Sequence, residues 1–167
     1  MTEAPSKKTL VKDVMLRRYL RLGESHTLHE VMGFLTNKHF EKDGLPFLVV
    51  IAENGSFAGM LEPKAVLKAL LEGVSEGEDA EYSLMQSAPV NLSKTVGHIM
   101  NRNIPVLPEN ASLDEAFKCI HKSSTEAAAI IEDDRVIGLI TARILFEQAS
   151  TLTVGALTGG VIPQVTD

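Results

Sequence analysis

The chain has 167 residues, 44% apolar and 23% charged, the balance of a globular protein that can bury a sizeable core without staples. Its net charge of −6 speaks against general nucleic-acid binding, and its single cysteine excludes an internal disulfide, in keeping with a reducing cytoplasm. No apolar run reaches the ~20 residues of a membrane-spanning helix, and the N-terminus carries no apolar signal core, so membrane insertion is not expected.

Residues 1–10 read as a flexible lead-in. Val11-Lys12-Asp13-Val14-Met15 follows, and 85 positions later comes Val96-Gly97-His98-Ile99-Met100. The same offset of 85 carries Leu22 onto Leu107, Thr27 onto Ser112, Leu28 onto Leu113 and Glu30 onto Glu115. A constant offset over matched residue types is an internal repeat, placed at residues 11–73 and 95–150.

In each repeat a short strand leads to a capped helix. Thr27-Leu28-His29-Glu30 and Ser112-Leu113-Asp114-Glu115 are capping boxes, in which the hydroxyl accepts from the third backbone N–H and the glutamate reaches back. Leu28, Val31, Met32 and Leu35 then recur at helical spacing, as do Leu113, Ala116, Phe117 and Ile120. The stretch Asn37 to Gly44 makes the first repeat about six residues longer, so the offset drops to 79.

Phe47 to Ala52 and Ala127 to Ile131 are apolar runs too short for helices and read as buried strands. Asn54-Gly55 suits a hairpin turn, and Glu132-Asp133-Asp134 supplies a weaker turn signal without glycine. Gly59 and Gly138 align near the ends of the returning strands, and Glu62 aligns with Thr141 at the start of a second helix. In repeat one that helix opens on Glu62-Pro63, with Val66, Leu67, Leu70 and Leu71 as its buried face, and stops at Gly73. In repeat two it runs from Thr141 to about Ser150. Residues 74–94 read as an acidic, polar linker with Tyr82, Leu84 and Met85 as anchors, and 151–167 as a loosely held tail.

Two copies with every element in register resemble a tandem pair of CBS (cystathionine β-synthase) domains, a Bateman module. The resemblance implies an α+β fold of two β-α-β-β-α units, packed sheet to sheet with pseudo-twofold symmetry. It implies pairing of modules into a homodimer, with adenosyl ligands (AMP, ADP, ATP or S-adenosylmethionine) held in clefts between repeats.

The family's ligand motif is Gly, two apolar residues, Ser or Thr, two variable residues, Asp. Its physical logic is that a helix N-terminus attracts an anion, while a carboxylate holds a vicinal diol. Repeat two offers Gly138-Leu139-Ile140-Thr141-Ala142-Arg143-Ile144, with the hydroxyl present and the aspartate replaced by Ile144. Repeat one offers Gly59-Met60-Leu61-Glu62-Pro63-Lys64-Ala65, which departs at both positions. The Thr141 cleft is therefore the better candidate. By the resemblance, Thr141 contacts sugar or phosphate, Arg143 a phosphate, and Ile104 and Pro105 frame the base. Arg17, Arg18, Arg21 and Arg102 supply phosphate forks at the rim.

The five histidines (His26, His29, His39, His98, His121) show no metal-ligand spacing, and Cys119 and His121 point apart on a helix. No catalytic set, metal site or required cofactor is expected. The expected function is a stand-alone, cytoplasmic regulatory dimer that senses an adenosyl ligand and signals to an unidentified protein partner. The alternative is a dimerisation or docking module without nucleotide binding.

Overall fold

A computed structural model describes residues 8–36, 47–77 and 79–156. The stretch from 37 to 46 and the tail from 157 lie outside the described residues, as does the start of the lead-in. The elements are α1 (Val11–Val14), β1 (Leu20–Gly23), α2 (Leu28–Thr36), β2 (Leu48–Ile51), β3 (Phe57–Leu61) and α3 (Pro63–Leu70). After them come α4 (Ala80–Asn91), α5 (Val96–Ile99), β4 (Val106–Pro108), α6 (Leu113–Lys122), β5 (Ala127–Glu132), β6 (Arg135–Thr141) and α7 (Ala142–Ala156). Apart from the short helices α1 and α5 and the intervening α4, both repeats read β-α-β-β-α.

Each repeat builds one three-stranded sheet, β1-β2-β3 and β4-β5-β6, with the first pair parallel and the second antiparallel. The parallel pair needs a crossover, which α2 and α6 provide. At α2 the capping box closes both ways: Glu30 N donates to Thr27 Oγ1 (3.2 Å) and Thr27 N donates to Glu30 Oε1 (3.3 Å). At α6 the hydroxyl half is present, with Glu115 N donating to Ser112 Oγ at 3.2 Å. The antiparallel hairpins turn where backbone can go left-handed. Gly55 has φ +87°, and Asp133 and Asp134 have φ 51° and 63°, the two-residue turn whose twist matches the strands.

Leu28, Val31, Leu35, Leu48, Val50 and Leu61 form the core between α2, α3 and the first sheet. Each side chain of this kind contributes roughly 1.5–3 kcal/mol when fully buried. Between the two sheets lies a second apolar layer, in which Val49 and Met60 meet Ala127, Ala129, Val136 and Leu139. The alanines matter there: Ala127 and Ala129, alternate residues on one face of β5, let the sheets approach closely.

The sequence repeat is not the packing unit. Val11 and Met15 are buried against α6, β5 and β6 of repeat two. Val96 and Met100 are buried with α2, β2 and β3 of repeat one. Two equivalent bridges fix the exchange. Leu16 and Leu139 trade backbone hydrogen bonds at 2.8 and 2.9 Å, and Asn101 and Met60 do so at 2.8 and 3.0 Å.

Three elements differ from the sequence reading. The stretch from 74 to 94 contains the helix α4, held to the end of α3 by the buried Asn91, whose Nδ2 donates to the Leu70 and Glu72 carbonyls at 2.9 Å each. Tyr82 and Met85 are 62% and 73% exposed, so they do not anchor it. On α3, Val66 and Ala69 are buried, whereas Leu67 and Leu71 are largely exposed, because α3 turns only a narrow face to the core. Finally, α7 continues past Ser150 to Ala156.

Candidate functional site

A cleft of about 1120 Å³ opens where β6 ends and α7 begins. Its floor is Leu139, Thr141 and Ala142. The hydroxyl of Thr141 accepts from the backbone N–H of Ile144 at 3.2 Å, so it caps α7 in the manner expected of a helix-opening threonine. Its upper wall is the segment from Leu16 to Arg21, which crosses β6 because Leu16 pairs with Leu139.

That crossing gathers the charges. Arg17, Arg18 and Arg21 come from the crossing segment and Arg143 from the first turn of α7. Arg17 donates to the Lys12 carbonyl (3.0 Å), and Arg143 pairs with Glu147 one turn on (3.4 Å). Arg21 donates to the Tyr19 hydroxyl (2.9 Å), which itself donates to the Val136 carbonyl (2.9 Å), and the guanidinium lies 5.2 Å from the Tyr19 ring centre. These contacts aim Arg21 while leaving it exposed. Arg18 makes no hydrogen bond or ion pair with the described residues.

Five of the sequence-predicted residues thus meet in one cleft: Thr141, Arg143, Arg17, Arg18 and Arg21. Gly138 lies beneath it, on β6 under Met15 and Leu16. The other three are placed elsewhere by the exchange. Arg102 pairs with Glu24 at 3.0 Å, Ile104 is buried between the sheets, and the Pro105 carbonyl accepts from Ala129 N at 3.0 Å. The positions that occupy their equivalent place beside Thr141 are Arg17, Tyr19 and Leu20, 85 residues earlier. At the corresponding corner of repeat one, Glu62 accepts from Asn101 Nδ2 at 3.2 Å.

The sequence reading missed Tyr19, Phe47, Glu126 and Glu147, all of which line the cleft. Glu147 follows Arg143 by four positions, a spacing that signals an ion pair on a helix. Glu126 had no such signal, since only strand register sets it beside the start of α7: β5 begins with Ala127, whose partner is Thr141, and the Glu126 carbonyl accepts from Ala142 N at 2.7 Å. The two glutamates restore carboxylates to a cleft in which Ile144 fills the motif's acidic position. Among the described residues no group of three or more His, Cys, Asp or Glu is placed to hold a metal ion. Cys119 is half-buried, and that burial pushes its thiol pKa up, away from the thiolate a nucleophile requires.

Two α+β repeats, packed sheet to sheet and exchanging their leading segments around an arginine-rimmed cleft, define a tandem-repeat module. The chain belongs to the CBS-domain family, whose pattern it matches over residues 11–72 and 96–150. That match indicates no enzymatic family. No curated protein matches the chain. Among solved structures it is similar to the CBS-pair protein CBSX2 of Arabidopsis thaliana (17% identity, 90% of this chain and 99% of that one, TM-score 0.66). It is also similar to a CBS-domain-containing protein of Agrobacterium tumefaciens (16% identity, 89% and 99%, TM-score 0.63). A third likeness is to the CBS domain pair of protein MJ0100, solved with 5′-methylthioadenosine and S-adenosyl-L-methionine (19% identity, 84% and 99%, TM-score 0.60). CBSX2 is also known in complex with AMP. Among the described residues no helix is long and apolar enough to cross a membrane.

Proposed function

We propose that the protein is a regulatory CBS pair of the cytoplasm that senses an adenosyl-type ligand (AMP, ADP, ATP or S-adenosylmethionine) in the Thr141 cleft and signals to a partner protein. The observation that carries this reading is the convergence of Arg17, Arg18, Arg21 and Arg143 on one cleft at a helix start. Its volume exceeds the ~300–1,000 Å³ typical of small-molecule sites, so it has room for a nucleotide. The AMP and S-adenosylmethionine complexes of structurally similar proteins support the ligand class. In this cleft Tyr19 and Phe47 offer aromatic surface to a base, the arginines face a phosphate or carboxylate, and Glu126 or Glu147 accepts from the ribose diol. One wall belongs to the leading segment of repeat one and the floor to repeat two. A bound ligand therefore favours one arrangement of that wall over others, and a partner reads the shift in population.

The protein works as a homodimer in this proposal. Exposed Leu67 on α3 and Phe146 on α7, at equivalent places in the two repeats, provide apolar surface for a second copy, with Leu71 at the end of α3 beside them in sequence.

A second reading, a dimerisation or docking module without nucleotide binding, is favoured by one observation: the diol-holding position is apolar in both repeats, at Ala65 and Ile144. Thermal unfolding in the presence of AMP, ATP and S-adenosylmethionine separates the two. A ligand at a hundred times its dissociation constant adds about 2.7 kcal/mol to stability. A raised melting temperature with any of the three supports the sensor, and no shift with all three leaves the docking module.

A further inference from the structure

Helix α4 exposes its large apolar side chains and buries small and polar ones. Ala80, Ser83, Ser87, Ala88 and Asn91, one stripe at helical spacing, face the protein. The opposite stripe, Tyr82, Met85, Gln86, Pro89 and Val90, faces outward, with Tyr82, Met85 and Val90 exposed by 62%, 73% and 69%. A surface helix that only braces its own domain has the reverse pattern. Here polar contacts hold the inner face: Asn91 caps the end of α3, and Ser83 Oγ accepts from Ser75 N at 3.0 Å. Pro89 has no amide hydrogen, so the Met85 carbonyl loses its helical donor on the outward side.

The charge around this stripe has one sign. Between Lys68 and Lys94 the chain has no lysine or arginine. Glu76, Asp79 and Glu81 are exposed and form no ion pair with the described residues. Lys94 is committed to Glu72 and to the Ala69 carbonyl.

We propose that the outer face of α4 docks a basic amphipathic helix from a different polypeptide. Its apolar side chains would cover Tyr82, Met85 and Val90, its lysines or arginines would face Glu76, Asp79 and Glu81, and one donor would reach the Met85 carbonyl. The 12-residue α4 is about 18 Å long, which matches a partner helix of about three turns. Charge complementarity decides against a second copy as occupant, because a twofold mate brings the same acidic rim and no uncommitted cation from this element. The inference stands whether or not the Thr141 cleft is filled.

The test uses the full chain and a labelled peptide of ~14 residues, about four helical turns, with leucine at i, i+3, i+4 and i+7 and lysine elsewhere. Fluorescence anisotropy should show saturable binding that weakens with added salt. The double substitution Met85→Ser, Val90→Ser should weaken binding by about tenfold without lowering the melting temperature. A peptide with glutamate in place of lysine should not bind. The proposal is overturned by no binding of the lysine peptide, by equal binding to the doubly substituted chain, or by equal binding of the glutamate peptide. Sedimentation velocity in which the substitutions turn a dimer into a monomer would also overturn it, since a second copy would then cover the face.

Discussion

Gly59 and Gly138 set how closely the exchanged segments can approach the sheets. A Cβ at Gly59 would collide with the Asn101 carbonyl oxygen, which is backbone and cannot swing away. A Cβ at Gly138 would collide with the Met15 sulfur, the far end of a flexible side chain, and lie 3.2 Å from the Leu16 carbonyl oxygen. Gly59→Ala should therefore destabilise by about 1–3 kcal/mol in urea unfolding, and Gly138→Ala by less. At the cleft, Thr141→Ala should weaken a phosphate-bearing ligand and also cost about 1 kcal/mol of stability, since the hydroxyl caps α7. Binding and stability must accordingly be measured separately for that variant. Arg143→Ala should weaken the same ligand, and Glu62→Ala, at the other corner, should leave its affinity unchanged in isothermal titration. Loss of binding in Glu62→Ala would place the ligand in repeat one.

The contact between α3 and α4 rests on a few polar groups. Asn91 is 3% exposed and satisfies two carbonyls at the end of α3. Asn91→Ala should cost about 1–3 kcal/mol, because both acceptors lose their donor in a place water reaches poorly. Thermal unfolding would measure it, and a change under a few tenths of a kcal/mol would show that α4 is not held there. Beside it, the Lys94 ammonium bonds the Glu72 carboxylate and holds its pKa below the ordinary glutamate value. A depressed carboxylate contributes stability above its unfolded pKa and loses it as the pH falls through the lowered folded value. Glu72→Gln should flatten this small acid-side pH dependence by lowering stability slightly at neutral pH, where the pair is formed, and leaving it unchanged at a pH where Glu72 is already protonated; urea unfolding at the two pH values checks it. In α2 and α6 the helix starts were legible locally, since Thr27 with Glu30 and Ser112 with Glu115 carry their own caps. The helix α4 was not. Its large apolar residues are exposed, and a periodicity search for a buried stripe finds only alanines, serines and Asn91 on the inner side.

Exchange of the leading segments makes the halves interdependent. Met15 belongs to repeat one by sequence but is buried in the core of repeat two. Met15→Ala should cost about 2–5 kcal/mol. Amide exchange should show the loss first in α6, β5 and β6, and protection lost only in β1–β3 would contradict the exchange. The duplication, the α+β element order and the caps could all be read from residues in line, because local hydrogen bonding and hydrophobic period are set by near neighbours. So could Thr141 as a helix-opening hydroxyl. Which arginines stand beside it could not. Arg17 and Arg102 occupy equivalent places in the two copies, and only the crossing of Leu16 over Leu139 brings Arg17, and not Arg102, to that threonine. Glu126 reached the cleft by strand register alone. Such pairings depend on backbone bonds between segments more than a hundred residues apart, as between Leu16 and Leu139, and no local propensity encodes which of two like partners is taken.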